Sequence, residues 1–204
     1  MEKWTRTIRF MPPSEFPAET QRYFEVRYCP RCGSQYRSED FNPISCVFIC
    51  AGCSFDFYQN PPPAAVAVIA HPERTNEVLF LRRRTAPNIG RWCVPGGFVT
   101  YGESPALATM REVREEVGLD VKIGRLLHAG LVDYTYRGRQ LCVLEIAYLA
   151  HLSGLTAAAR ASTAEASEVD FFPVDAVLRA PEMLAFPEQM SLMRAFKLVV
   201  NSCD

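Results

Sequence analysis

Three carboxylates, Glu112, Glu115 and Glu116, follow Arg111 directly and stand just after the glycine-rich stretch VPGGFVTYGE, which ends at Glu103. At about 100° per residue the three share one side of a helix, where like charges repel by roughly a few tenths of a kcal/mol per pair. A solvated acidic face is the bland reading of such a run. Two neighbours favour a chemical one. Arg111 sits four residues before Glu115 and can neutralise and orient it, and a glycine-rich loop lets backbone groups approach a ligand closely. Clustered oxygen donors beside such a loop suit a hard divalent cation, Mg²⁺ or Mn²⁺, whose shell is completed by water and substrate phosphate.

A second set is made of thiols. Cys29-x-x-Cys32 is followed, after seventeen residues, by Cys50-x-x-Cys53, the spacing of a four-thiolate tetrahedral zinc site. Cys46, Cys93, Cys142 and Cys203 lack such pairing. The competing reading, reduced buried cysteines, accounts for single residues better than for two paired units. MEKWTRTIRF at the N-terminus lacks the apolar run of a secretory signal, so metal binding is preferred to a disulfide framework. The expectation is a soluble, cytoplasmic protein.

These residues need elements to hold them. SPALATMREVREEVG reads as a helix from about Pro105 to Val117, with Ser104 as N-cap, Pro105 at its first position and Gly118 as the left-handed C-terminal residue. Ala106, Met110, Val113 and Val117 form its apolar stripe, with the glutamates roughly opposite. AAVAVIA and VLFLRRR, joined by the turn-forming HPERTNE, read as a hairpin. Strands are expected near Val121 to Tyr134 and Leu141 to Leu152 around the turn at 137–139, then a loop with helical character at 154–166, a last strand FFPV, and helices at 174–179 and about 187–200. Strands on both sides of a central helix argue for a mixed sheet packed between helices, an α/β sandwich.

The run Pro61-Pro62-Pro63 cannot join a helix or central strand and divides the chain into an arm (1–26), a small β module around the cysteine pairs (27–60) and a larger domain (61–204). The small module cannot bury enough apolar area to fold alone, so zinc would be its core. With 22 Lys and Arg against 23 Asp and Glu, no global positive field steers the chain to nucleic acid or an anionic membrane. No apolar run approaches the roughly 18 residues of a membrane span.

Gly97, Glu103, Arg111, Glu112, Val113, Glu115, Glu116, Gly118 and Leu119 match, at fixed spacing, a pattern of glycine, glutamate, then Arg-Glu-aliphatic-x-Glu-Glu-x-Gly-aliphatic. The segment resembles the signature of the Nudix hydrolases, with likeness extending over 63 to about 200. The resemblance implies an α/β/α sandwich and hydrolysis of a nucleoside diphosphate joined to a second moiety. It makes Glu112, Glu115 and Glu116 the metal ligands and catalytic carboxylates, Gly97 a carbonyl ligand, Arg111 the residue that orients Glu115, and Glu103 a loop stabiliser or further ligand. A last carboxylate is expected from EASEVDFF, with Glu168 preferred to Glu165.

The cysteine module ahead of such a domain is similar to the zinc ribbon of some ADP-ribose, FAD and NADH pyrophosphatases. The SQPWPFPxS motif that resemblance associates with NADH enzymes has no match in LLHAGLVDYTYRGRQ. A tyrosine at the distance of Tyr134 or Tyr136 resembles the diadenosine polyphosphate group. Trp92, Phe98, Tyr101, Tyr134 and Tyr136 are candidates to stack on an adenine or flavin ring. The expected partner is a small nucleotide. A nucleotide sensor and an RNA-directed protein stand as alternatives, and a homodimer is compatible with the resemblance.

Overall fold

The computed structural model describes residues 26–42, 45–136, 138–153, 161 and 164–201. The expected arm up to residue 25, most of the alanine-rich stretch, and Cys203 lie outside them. The chain divides at Pro61 into two compact units, each with its own core.

The smaller unit holds three short antiparallel strands, β1 (Phe41–Asn42), β2 (Val47–Ile49) and β3 (Asp56–Tyr58), in that order. Its apolar centre is thin. Phe48 packs against Tyr36 and Phe41 at 4.9 and 4.6 Å between ring centroids, and the remaining buried residues of the cluster are Cys29 and Cys50. So little apolar burial does not sustain a fold of this size without a cross-link.

The larger unit contains β4 (Pro63–Ile69), β5 (Glu77–Arg83), β6 (Trp92–Cys93), β7 (Gly96–Phe98), α1 (Pro105–Val117), β8 (Val121–Tyr136), β9 (Arg139–Leu152), β10 (Ala166–Pro173), α2 (Val174–Arg179) and α3 (Gln189–Asn201). A four-stranded sheet runs β7-β4-β9-β8 and a three-stranded one β10-β5-β6. The first is mixed: β4 lies parallel to β9, from Pro63 against Leu144 to Ile69 against Ala150, and the other pairs are antiparallel. A parallel pair needs a long crossover, and α1 lies within it.

Side-chain alternation makes the layers. Val66 and Val68 of β4, with Val78 and Phe80 of β5, join Val177, Leu192, Met193 and Phe196 of the C-terminal helices in one core. Ala67, Ile69, Leu79 and Leu81 join Val113 and Val117 of α1 in the other. Both sheets are thus covered on two faces, which gives the expected sandwich. Phe80 is fully buried and meets Phe172 edge-on at 6.0 Å. Phe80→Ala is expected to cost about 3–5 kcal/mol, measured by urea unfolding.

Two expectations are corrected. The strands read as a hairpin, β4 and β5, form no ladder with each other beyond the bridge between Ala70 and Val78 and part into different sheets. Each finds a longer partner ladder elsewhere, in β9 and β10. On α1, Met110 is 41% exposed and Ala106 only partly covered, while the buried residues are Ala108, Thr109, Val113, Glu116 and Val117. The covered face is turned towards the glutamates because β7 packs there.

Candidate active site and metal centre

Helix α1 begins and ends as its sequence demands. The Ser104 hydroxyl accepts from the Leu107 N–H at 3.3 Å, and Gly118 takes φ 68° as its N–H closes onto the Arg114 carbonyl. Its glutamates sit in three different environments. Glu116 is 7% exposed, and its Oε2 accepts from the Gly96 N–H at 2.8 Å. Burial pushes its carboxyl up to about 8; the Gly96 bond opposes the shift, and the charges of Glu112 and Glu165 add to it. Glu112 is half-buried and is likewise raised by burial, against the pull of Arg111. The Glu115 side chain is 59% exposed and meets Arg111 at 3.2 Å.

Arg111 is the hub. Its guanidinium donates to Glu103 at 2.6 and 3.2 Å, to Glu112 at 2.7 Å and to the Phe98 carbonyl at 3.2 Å. The link to Glu115 read from helical spacing, at 3.2 Å, is longer than the shortest bonds to Glu103 and Glu112. Glu103 also accepts from the Thr100 N–H and hydroxyl, both at 2.8 Å, and Arg111 followed by Thr100 holds its carboxyl down at about 2. With four donors already on it, Glu103 ties the loop to the helix.

The glycines explain how the loop comes so close. A Cβ at Gly97 would lie 2.5 Å from Glu112 Oε1, whereas one at Gly96, where φ is 151°, would lie 2.4 Å from the Ala65 carbonyl oxygen. The first clash is with the movable end of a side chain, the second with backbone. Gly97→Ala is therefore expected to leave the thermal midpoint nearly unchanged while displacing Glu112, with turnover falling about 10²-fold. Gly96→Ala should instead lower the midpoint, and scanning calorimetry beside a rate assay separates the two.

Of the candidate last carboxylates, Glu168 lies within β10 and pairs with Arg82 at 2.9 Å on the surface. Glu165 is the one whose charge acts on both Glu112 and Glu116. β10 starts at Ala166, earlier than FFPV suggested, so the loop position belongs to Glu165.

Among the aromatic candidates, Phe98 and Tyr134 line a cleft beside Gly96 and Gly97 and meet edge-on at 5.8 Å. Trp92 instead packs on Phe172 at 4.7 Å against the core. Tyr101 is fully exposed, and the side chain of Tyr136 lies outside the described residues. The cleft also contains four charged, amide or aromatic residues that the motif reading did not single out: Arg83, Glu145, Phe186 and Gln189. Arg83 stands 5.1 Å over the Phe186 ring. Glu145 had a visible signal, a lone acid inside the apolar run CVLEIAYLA.

In the smaller unit the two CxxC turns repeat one geometry. Cys29 N–H bonds the Ser34 carbonyl and Gly33 N–H returns to Cys29; Cys50 N–H bonds Phe55 and Ser54 N–H returns to Cys50. Gly33 and Ser54, at matching places, take φ 74° and 54°. The turns bring all four sulfurs within 4.8 Å of one another, with Cys29 to Cys53 at 3.7 Å and Cys32 to Cys50 at 3.6 Å. Thiolates on a tetrahedral Zn²⁺ at about 2.3 Å would stand about 3.8 Å apart, so the donor set fits. Ser34 holds the Cys32 thiol down at about 6, while burial pushes that of Cys53 up to about 12. Cys46 is not part of the quartet.

Comparison with known proteins agrees with this geometry. The NUDIX domain model matches residues 61–193. The chain is 43% identical over 63 residues to an ADP-ribose pyrophosphatase of Methanocaldococcus jannaschii, covering 31% of this chain and 37% of that protein. It is 33% identical over 96 residues to the NAD-capped RNA hydrolase NudC of Pseudomonas aeruginosa, covering 47% and 32%. The chain thus spans about a third of the length of these curated relatives. In fold it resembles a NUDIX hydrolase from Nitrosomonas europaea, with a TM-score of 0.61 at 23% identity over 84% of this chain and 91% of that one.

Proposed function

The chain belongs to the NUDIX family, and from that premise we propose that it hydrolyses the phosphoric anhydride of a nucleoside diphosphate joined to a second moiety, with ADP-ribose or a related dinucleotide such as FAD or NADH as substrate. The observation that carries this reading is the convergence of Glu116 and Glu112 on the backbone of Gly96 and Gly97, with Arg111 joining Glu112 to Glu103 and Glu115. ADP-ribose is placed first because the M. jannaschii relative bears that activity in its name, and NADH lower because the motif expected after the helix is missing.

A hard divalent cation fits the site. Glu116 is a buried carboxylate on which the charges of two others, Glu112 and Glu165, act with only Arg83 opposing them, and oxygen donors of this kind are what Mg²⁺ or Mn²⁺ takes. Glu112, Glu116 and the Gly97 carbonyl would hold it, with Glu115 and Glu165 as the outer carboxylates. When bound, the cation supplies neutralisation of the diphosphate charge and a more acidic water. The chain's own residues do the rest. Gly96 fixes one oxygen of Glu116, Arg111 holds Glu112 in place, and Glu103 braces Arg111. Glu165 or Glu115, both exposed, would take the proton of an attacking water. In the smaller unit the four cysteines would hold a structural Zn²⁺.

The test is a panel of ADP-ribose, NADH, FAD, diadenosine polyphosphates and nucleoside triphosphates with Mg²⁺ or Mn²⁺. A nucleoside monophosphate and a phosphorylated product are expected from the first three, and no turnover of any member sinks the enzymatic reading. Tyr134 on the cleft wall supports a second reading, a diadenosine polyphosphate substrate, which the same panel resolves.

A further inference from the structure

Glu145 belongs to no part of the machinery just described. It lies at the middle of the mixed sheet, in a row that crosses all four strands: Phe98 of β7 opposite Ala64 of β4, Ala64 opposite Glu145 of β9, and Glu145 opposite Gly130 of β8. Register partners point to the same face, so the glutamate is flanked by two of the smallest residues. Ala64 and Glu145 line a cleft beside Gly97, a cavity of about 100 Å³, while the imidazole of His128 stands over Gly130. Val66, Val132 and Val143 line it with Phe98, Tyr134 and Phe186.

Glu145 is 7% exposed, and its carboxyl makes no hydrogen bond or ion pair among the described residues. An acid in such a place is costly to bury. Burial pushes its carboxyl up to about 7, and the charge of Glu188 adds to the shift. Around it, Tyr134 contacts Phe98 at 5.8 Å and Phe186 at 5.6 Å, a continuous aromatic wall backed by Arg83. A mostly apolar, aromatic cleft with a few polar groups, one of them without a hydrogen-bond partner, is how proteins take a flat ring with a hydrogen-bonding edge.

We propose that this cleft is a nucleobase subsite, in which the aromatic wall stacks on the ring and Glu145 accepts an N–H from its edge, making Glu145 a residue that selects the base. The proposal rests on the nucleotide reading above and names which part of the substrate enters where. A site whose buried polar group must be matched discriminates strongly, because the wrong base leaves that group without a partner. The base would then be held about the sheet face while the diphosphate lies over Gly96 and Gly97.

Titration calorimetry of the whole protein with AMP, GMP, CMP, UMP and ribose 5-phosphate tests this without turnover. At least one nucleotide should bind tenfold tighter than ribose 5-phosphate, and the four should span at least tenfold among themselves. Glu145→Gln, nearly identical in shape, should reorder that series or shrink its span to threefold or less. Equal binding of all five ligands by the unaltered protein overturns the proposal, as does an unchanged series in Glu145→Gln. The unaltered protein's series decides the matter even if that variant does not fold. Base-blind binding together with hydrolysis of the panel removes the subsite alone. Base-selective binding without hydrolysis removes the enzymatic reading and leaves the subsite standing.

Discussion

Glu116→Gln should abolish turnover, by about 10³-fold or more in kcat, while raising the thermal midpoint of the metal-free protein. The first half follows from removing a charged oxygen from the point where the helix and the Gly96 loop meet; loss of one electrostatic contributor at a reacting centre costs about 10²–10³-fold, and weakened cation binding adds to it. The second half is a matter of sign. Burial raises the Glu116 carboxyl from 4.5 to about 8. Its contribution to folding is therefore complete below about 4.5 and is lost as pH climbs towards 8. At neutral pH a neutral side chain of the same shape escapes that loss and still accepts the Gly96 N–H. A variant that is both inactive and less stable would show that Glu116 serves packing, so rate and melting must be measured on the same preparation.

Removing the metal from the cysteine quartet should unfold the smaller unit outright. Four thiolates on Zn²⁺ contribute about 10–16 kcal/mol in small zinc-dependent folds, far above what the few apolar contacts around Phe48 can supply. Elemental analysis should return about one zinc per chain. Chelation with a thiol-reactive dye present should release the metal together with four titratable thiols, and Cys50→Ser should reproduce the loss. The melting transition of the larger unit, which has its own cores, should persist. Absence of zinc with all thiols titratable in the native protein would refute the assignment.

How much of this was legible beforehand follows from how local each feature is. Helix α1 was readable to the residue because Ser104, Pro105 and Gly118 act within one turn of their own positions. The cysteine quartet was readable because a CxxC turn prescribes its own hydrogen bonds. What failed was long-range. HPERTNE says that the chain turns, yet not that β4 leaves for β9 and β5 for β10. The stripe of α1 was misplaced because the sequence cannot say that Gly96 donates to Glu116 from outside the helix. Glu145 escaped notice for a similar reason. Its lone charge in CVLEIAYLA was visible, but only the register across β4, β8 and β9 shows which residues it meets, and only the packed sheet shows the cleft that it lines.

Strand β4 carries a different kind of information, about change in length. Its odd and even residues belong to two cores, one beneath the glutamate helix and one beneath the C-terminal helices. Single substitutions there can be absorbed by repacking on one side. Adding or deleting one residue exchanges the two sides at once, and also slips the pairing that sets Gly97 opposite Ala65. Related chains should therefore vary in length in the turn at 71–76 and keep β4 free of insertions and deletions, so that this strand serves as the ruler from which both the helix and the glycine loop take their positions.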